Sequence, residues 1–281
     1  MPPARKTPTF LTAARKRRIA ALHVPLNDLY GHYNQRCFVD PDPLVPLYRY
    51  SDPRDQELVG LITASLAFGN VKQILKSIEI VLRAFPDPAR CVPQLTLEAL
   101  NLRLARFRHR YVTGVEMASL LAGAGKLLRE HGSLGAAFAA LDDSEAPTIL
   151  PGLTRFVHAL RDNGTLEKNY LLPDPALGSA CKRWFMYLRW MVRSDAVDLG
   201  LWPELRAHRL IIPVDTHMHR VALGLGLTRR NSADLKTALE ITQAFKVVCP
   251  EDPVRYDFCL TRLGIREDGD MAGFLREVMK K

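Results

Sequence analysis

From Leu58 to Phe85 the chain reads LVGLITASLAFGNVKQILKSIEIVLRAF. Leu58, Leu61, Ile62 and Leu66 make one apolar stripe at helical spacing, and Val71, Ile74, Leu75, Ile78, Leu82 and Phe85 make a second. Between them Phe68-Gly69-Asn70 breaks the pattern, with Asn70 placed as an N-cap. The same periodicity recurs at Met117, Leu120, Leu121, Ala124, Leu127 and Leu128, which end at His131-Gly132, where glycine is the usual helix stop. It returns at Cys181, Trp184, Phe185, Leu188, Met191 and Val192, and again at Leu235, Ala238, Leu239, Thr242 and Phe245. Strand alternation is confined to Leu210-Ile211-Ile212-Pro213-Val214, so the expected fold class is all-α.

The chain has 281 residues, 47% hydrophobic and 25% charged, values of an ordinary globular protein of one or two domains. Its 39 Lys and Arg against 30 Asp and Glu leave a net charge of +9, which points to a polyanionic partner. Cys37, Cys91, Cys181, Cys249 and Cys259 are odd in number, with no CxxC pair. Neither a disulfide framework nor a zinc ribbon is expected, and a reducing cytoplasm fits. No run of about 18 apolar residues offers a bilayer span, so no membrane partner is expected. Residues 1–19 carry Arg5, Lys6, Arg15, Lys16, Arg17 and Arg18 with no acid and read as a basic flexible arm. Prolines at 41, 43, 46 and 53 mark an extended connector after a helix near residues 20–37.

Three segments carry candidate chemistry. In Leu172-Pro173-Asp174-Pro175-Ala176-Leu177-Gly178-Ser179-Ala180-Cys181-Lys182-Arg183 a proline-marked turn closes on glycine and opens into a helix, leaving backbone N–H groups that suit a phosphate. Lys182 falls in the first turn, where the macrodipole disfavours positive charge, which makes it a candidate nucleophile; Lys182 and Arg183 also read simply as a solvated basic pair. In Ile211-Ile212-Pro213-Val214-Asp215-Thr216-His217-Met218-His219-Arg220-Val221, Asp215 sits at an N-cap, and capping alone accounts for an aspartate there. In the third segment, Phe68, Asn70 and Lys72 stand at a helix corner, which suits either an ordinary N-capped corner or a wedge into a base stack.

Asp215-Thr216-His217-Met218-His219 also matches the HxH metal motif that closes the first strand of amidohydrolase-type barrels. Less than a quarter of the chain follows His219, too little for the remaining strands. On a helix the two histidines diverge by about 200 degrees. No metal is expected.

Val214-Asp215-Thr216-His217-Met218-His219-Arg220-Val221 resembles the V-D-T-H-x-x-R-V segment of the helix-hairpin-helix DNA glycosylases, the superfamily of endonuclease III and the 8-oxoguanine glycosylases. Gly178 and Lys182 match the first glycine and the lysine of their L-P-G-V-G-x-K hairpin, while Ala180 replaces the second glycine and Pro175-Ala176 the usual start. The interval from Lys182 to Asp215 is longer than in endonuclease III and similar to that of the archaeal 8-oxoguanine glycosylases. Roughly residues 26–265 resemble an uncharacterised bacterial family with LAFGN-like, SACKR-like and VDTH-like motifs and a Pro253-to-Phe258 ending. The four-cysteine cluster of endonuclease III is missing, so no iron-sulfur cofactor is expected.

The resemblance implies two helical subdomains around a cleft: residues 52–195, ending in the hairpin, and residues 20–51 with 205–281, carrying Asp215. It implies a glycosylase with AP lyase activity in base excision repair, acting on double-stranded DNA with a damaged base, by preference an 8-oxoguanine-like purine, in the cytoplasm at the nucleoid. Lys182 and Asp215 would be catalytic and lie within several Å of one another across the cleft. Gly178, Ser179, Ala180, Arg183, Arg220, Phe68, Asn70 and Lys72 would bind DNA, joined by Arg106, Arg108 and Arg110. Trp184, Trp190, Trp202, Tyr256, Asp257 and Phe258 would line the substrate pocket, although such aromatic residues also serve as core. The alternative is a non-catalytic helix-hairpin-helix DNA-binding protein, with an RNA-processing or structural protein as a third reading. Nothing points to an obligate protein partner.

Overall fold

The computed structural model describes residues 11–162, 166, 168–266 and 269–280. Helices dominate it: α1 (Ala13–Ala20), α2 (His23–Tyr33), α3 (Pro53–Leu66), α4 (Val71–Ala84), α5 (Pro88–Cys91), α6 (Leu97–Arg103), α7 (Gly114–His131), α8 (Leu134–Leu141), α9 (Leu150–Arg161), α10 (Lys182–Val192), α11 (Thr216–Gly224), α12 (Leu235–Val248), α13 (Asp257–Ile265) and α14 (Met271–Lys280). Among the described residues the sheet is one antiparallel pair, β1 (Arg108–His109) with β2 (Val112–Thr113), turned by Arg110 at φ 56°. The fold is all-α. Leu210 to Val214, the candidate strand, is buried and belongs to no strand, and Ile212 N–H donates to Thr242 Oγ1 at 3.1 Å rather than to a strand neighbour.

Two helices form the hubs. Asp52 caps α3, accepting from Arg54 N–H at 2.9 Å, and from Glu57 to Leu66 every residue of α3 is buried. It packs against α10, α4, α5 and α8. Gly60 makes this closeness possible: a Cβ there would stand 3.0 Å from Met191 Cε and 3.1 Å from Tyr187 Cε2 of α10. Around α7, with its Thr113/Glu116 capping box, pack α6, α8 and α9. A single cluster of buried apolar side chains runs from Ile19 to Leu263 through both hubs.

Residues 13–19 of the basic arm lie in α1. Thr12 Oγ1 accepts from Arg15 N–H at 3.3 Å to cap α1, whose Ile19 is buried and which packs against α12. Arg15 donates to the Gly226 carbonyl at 2.8 Å. One apolar residue and one long-range hydrogen bond thus dock a segment whose composition alone suggests flexibility. Residues 1–10 of the arm lie outside the described residues.

Glu57 of α3 fastens that hub to the start of α8 and to the Trp202 segment. Its carboxylate accepts from Leu134 N–H (2.8 Å) and Gly135 N–H (3.2 Å) at the start of α8, and from Trp202 Nε1 (2.7 Å). Burial pushes its pKa up, and these three donors pull against that rise. Removing the acceptor strands three donors, two of them buried, at about 1–3 kcal/mol for each buried one. Glu57→Leu is expected to lose about 3 kcal/mol or more in urea unfolding, and Glu57→Gln, which keeps one acceptor oxygen, clearly less. Equal losses for the two variants would contradict this role.

Candidate active site

The helix bearing Lys182 is launched by a built turn. Asp174 accepts from Ala176 N–H at 2.9 Å, a 3-10 turn spans Pro175–Leu177, and Gly178 follows in the left-handed region at φ 78°. Gly178 and Ser179 are tied to the start of α12: Leu235 N–H donates to the Gly178 carbonyl at 3.1 Å, and Ser179 bridges Asp234. Cys181 then takes φ 48°, a conformation that costs a non-glycine residue of order 1 kcal/mol, and Lys182 opens α10.

Asp215 is the N-cap of α11, with Oδ1 accepting from Met218 N–H at 2.8 Å. Its other oxygen, Oδ2, lies 2.8 Å from Lys182 Nζ, and the two side chains are 35% and 34% exposed. Burial pushes the Asp215 carboxyl up. Lys182, the Met218 N–H and His217 together outweigh it and hold the carboxyl below the ordinary carboxylate range. The ion pair also answers the helix dipole, which would otherwise oppose the Lys182 charge.

Both side chains line a cavity of about 940 Å³. Its walls come from the connector (Asp40, Pro41, Asp42, Pro43), the first corner (Ala67, Phe68, Gly69, Val71, Ile74), α10 (Met186, Arg189, Trp190), the α11 start (Pro213, Thr216, Met218), and α13 with the residue after it (Asp257, Phe258, Thr261, Arg262, Ile265, Arg266). Of the six residues expected to line it, Trp190, Asp257 and Phe258 do. The other three are core. Trp184 donates to the Pro173 carbonyl (3.0 Å), Trp202 to Glu57, and Tyr256 to Asn27 Oδ1 (2.9 Å), so each ring is buried with its polar atom spent inside the protein.

Arg183 is turned inward. It donates to the Ser65 carbonyl (2.7 Å) and the Tyr170 carbonyl (2.6 Å), and its guanidinium lies over the Phe68 and Tyr170 rings at 5.2 and 4.7 Å. It clamps the first corner to α10 instead of waiting for a phosphate, and burial lowers its pKa. Asn70 caps α4, accepting from Lys72 N–H at 3.0 Å. Phe68 is half-buried beneath Tyr111 (centroids 5.6 Å apart, stacked) and Tyr170 (5.3 Å, edge-on). Those two tyrosines are 50% and 46% exposed, so they and not Phe68 form the outward aromatic face. Lys72, Arg106, Arg108, Arg110 and Arg220 are exposed, and a Cβ on Gly69 at the cavity wall would stand 3.0 Å from Arg110 Nη1.

His219 Nε2 lies 2.7 Å from the Arg230 carbonyl. Among the described residues no group of three or more His, Cys, Asp or Glu is arranged to hold a metal ion, and no helix is long and apolar enough to cross a membrane.

The family model for proteins of unknown function designated DUF2400 matches residues 42–266, most of the chain. The chain belongs to that family. The match takes in the connector at Asp42, the turn before Lys182, the Asp215 cap and α13, so every segment of the cavity wall apart from Asp40 and Pro41 lies inside the family region. No match is found among curated proteins or solved structures.

Asp215→Asn keeps the cap acceptor and loses the charge opposite Lys182; Asp215→Ala loses both. In unfolding measurements at neutral pH the alanine variant is expected to fall below the asparagine variant by about 1 kcal/mol. Because the folded carboxyl is depressed, the stability it contributes is present above its unfolded pKa, about 3.9, and is lost as pH falls through the folded value. The gap between wild type and Asp215→Asn should therefore close in acid. A gap that widens on acidification would contradict the pairing.

Proposed function

We propose that the protein is a DNA glycosylase with AP lyase activity, acting on duplex DNA that carries a damaged base of the oxidised-purine, 8-oxoguanine-like kind. The observation that carries this reading is the Lys182–Asp215 pair, 2.8 Å apart and part-exposed at a cavity of about 940 Å³. That volume is at the upper end of small-molecule sites, about 300–1,000 Å³, and leaves room for an extruded nucleotide. The exposed cations Lys72, Arg106, Arg108, Arg110 and Arg220 supply phosphate contacts, and in this reading α9, the turn at Pro175–Leu177 and α10 act as the hairpin that grips the backbone. The setting is the cytoplasmic nucleoid.

The chemistry follows from the two side chains. Attack needs a free amine, and Asp215 Oδ2, 2.8 Å from Lys182 Nζ, is placed to take a proton from it. The freed amine forms a bond to the sugar C1′. The bond from C1′ to the base breaks with its electron pair going to the base, which takes up the proton that Asp215 received and so leaves the carboxylate negative again. Asp215 then opposes the positive charge that develops on the sugar. Ring opening gives a Schiff base on Lys182, and loss of a C2′ proton expels the 3′ phosphate and nicks the strand.

A panel of duplexes with one lesion each tests the proposal. Wild type should nick the 8-oxoguanine duplex. Lys182→Gln should bind it and fail to nick, and Asp215→Asn should bind as well or better while slowing excision about a hundredfold or more. No cleavage of any lesion or abasic duplex would leave the non-catalytic DNA-binding alternative. Affinity should also fall with salt, and neutralising Lys72 or Arg220 should each lower the slope of log K against log salt by about 0.9; an affinity flat across low and moderate salt contradicts DNA binding of either kind.

A further inference from the structure

Tyr111 and Tyr170 are each about half exposed, and their rings meet edge to face with centroids 4.5 Å apart. A single exposed aromatic residue is ordinary on a protein surface. Two in contact, each braced from behind, are a built feature. Tyr111 stacks on Phe68, and the Arg183 guanidinium lies 4.7 Å from the Tyr170 ring centroid. The backbone beside each tyrosine is pinned. Asn169 is buried, donates to the Glu116 carbonyl (2.8 Å) and accepts from Leu171 N–H (2.8 Å). The ring nitrogens of buried His109 lie 2.9 Å from Ser77 Oγ and 3.0 Å from the Phe68 carbonyl. Between His109 and Tyr111, Arg110 holds φ 56°, which non-glycine residues rarely take, so the turn that presents Tyr111 is kept at a cost.

Between Glu98 and Glu116 the chain carries Arg103, Arg106, Arg108 and Arg110 and no acid, and all four are exposed. The aromatic face therefore stands in a positive potential. It also adjoins the cavity. Phe68, in contact with both tyrosines, and Gly69, beside Arg110, belong to the cavity wall, and Arg183 directly follows Lys182. A partner that fits must carry negative charge along its length and offer flat apolar faces. A single strand of nucleic acid does both, whereas a closed duplex stacks its bases on one another and presents phosphates and groove edges.

We infer that the Tyr111–Tyr170 face is a stacking site for an unpaired base of single-stranded DNA, just outside the cavity, with Arg106, Arg108 and Arg110 on the phosphates of the same strand. Stacking uses the ring face that every base has, so the site takes any base sequence. A damaged nucleotide flanked by unpaired bases is then held more tightly than the same nucleotide in a closed duplex, and the preferred substrate is a lesion in a bubble or at a junction. This inference rests on the DNA-binding part of the proposed function and not on its chemistry.

Binding of lesion-free oligo(dT), about fifteen nucleotides long, provides the test, beside a blunt duplex of equal length and a strand of equal phosphate count that lacks bases. Tyr111→Ala and Tyr170→Ala should each weaken oligo(dT) binding about tenfold, leave its salt slope unchanged and change duplex binding less than twofold. Arg108→Gln should instead lower the slope of log K against log salt by about 0.7. Tyr170→Trp keeps a stacking ring, and its added emission should be quenched by oligo(dT) and not by the base-free strand. Alanine variants that bind oligo(dT) as wild type does, an equal loss on duplex, or unquenched Tyr170→Trp emission overturns the inference. Oligo(U) bound more tightly than oligo(dT) overturns the assignment to DNA. The outcome is separable from strand nicking, because oligo(dT) carries no lesion: nicking without base-dependent oligo(dT) binding removes only the stacking site, and the converse removes only the catalysis.

Discussion

Arg189 in the last turn of α10 and Arg193 at its C-cap are both almost wholly buried, and both are paired with Asp198. From there the pairs run outward, Arg189 to Asp257 at the start of α13 and Arg193 to Asp195 and Asp252. Burying such charges costs several kcal/mol per ion unless every partner is in place, and removing one member strands the rest at about 3–5 kcal/mol. The geometry of α10 is therefore tied to α13 and to the loop that follows α10. Lys182 is on the far end of the same helix, and Asp257, Phe258 and Arg262 are on the helix it is locked to. The cavity exists because this charge lattice fixes the helices on two of its sides.

The second constraint is Asp215, which does two things with two oxygens. One caps α11 and the other holds Lys182. A carboxylate committed to a backbone N–H cannot swing away, so the lysine amine is held at a defined point of the cavity wall. The depressed carboxyl keeps that partner charged at neutral pH. Arg183 completes the frame from the adjacent position: it donates to the Ser65 carbonyl in the last turn of α3 and to the Tyr170 carbonyl, and its guanidinium lies over the Phe68 ring on the cavity wall.

Much of this is legible in the sequence wherever local chemistry decides the outcome. The amphipathic stripes mark α3, α4, α7, α10 and α12, and Asn70 and Asp215 cap helices because short polar side chains before an apolar run do so. The turn ending at Gly178 places Lys182 at a helix start. What sequence leaves hidden depends on long-range partners. Nothing local distinguishes Trp190, whose N–H is unpaired, from Trp184 and Trp202, whose N–H groups are met by Pro173 and by the distant Glu57. Arg183 looks like Lys182's solvated neighbour until Ser65 and Tyr170 are brought beside it. Tyr111 and Tyr170 meet over Phe68 only because two-residue strands and an Arg110 turn bring them there, and so short a hairpin leaves no periodic signal. Cys181 in the left-handed region shows no sign of itself either, since a cysteine is not the residue that conformation usually selects.

The most direct test of the account is where the sugar attaches. Borohydride added to the protein with a lesion duplex reduces any Schiff base to a stable amine, and peptide mass mapping of the trapped complex reads the modified residue. The account predicts one adduct, on the peptide carrying Lys182. An adduct on another lysine, or none on duplexes that the protein binds, would contradict a nucleophile at Lys182.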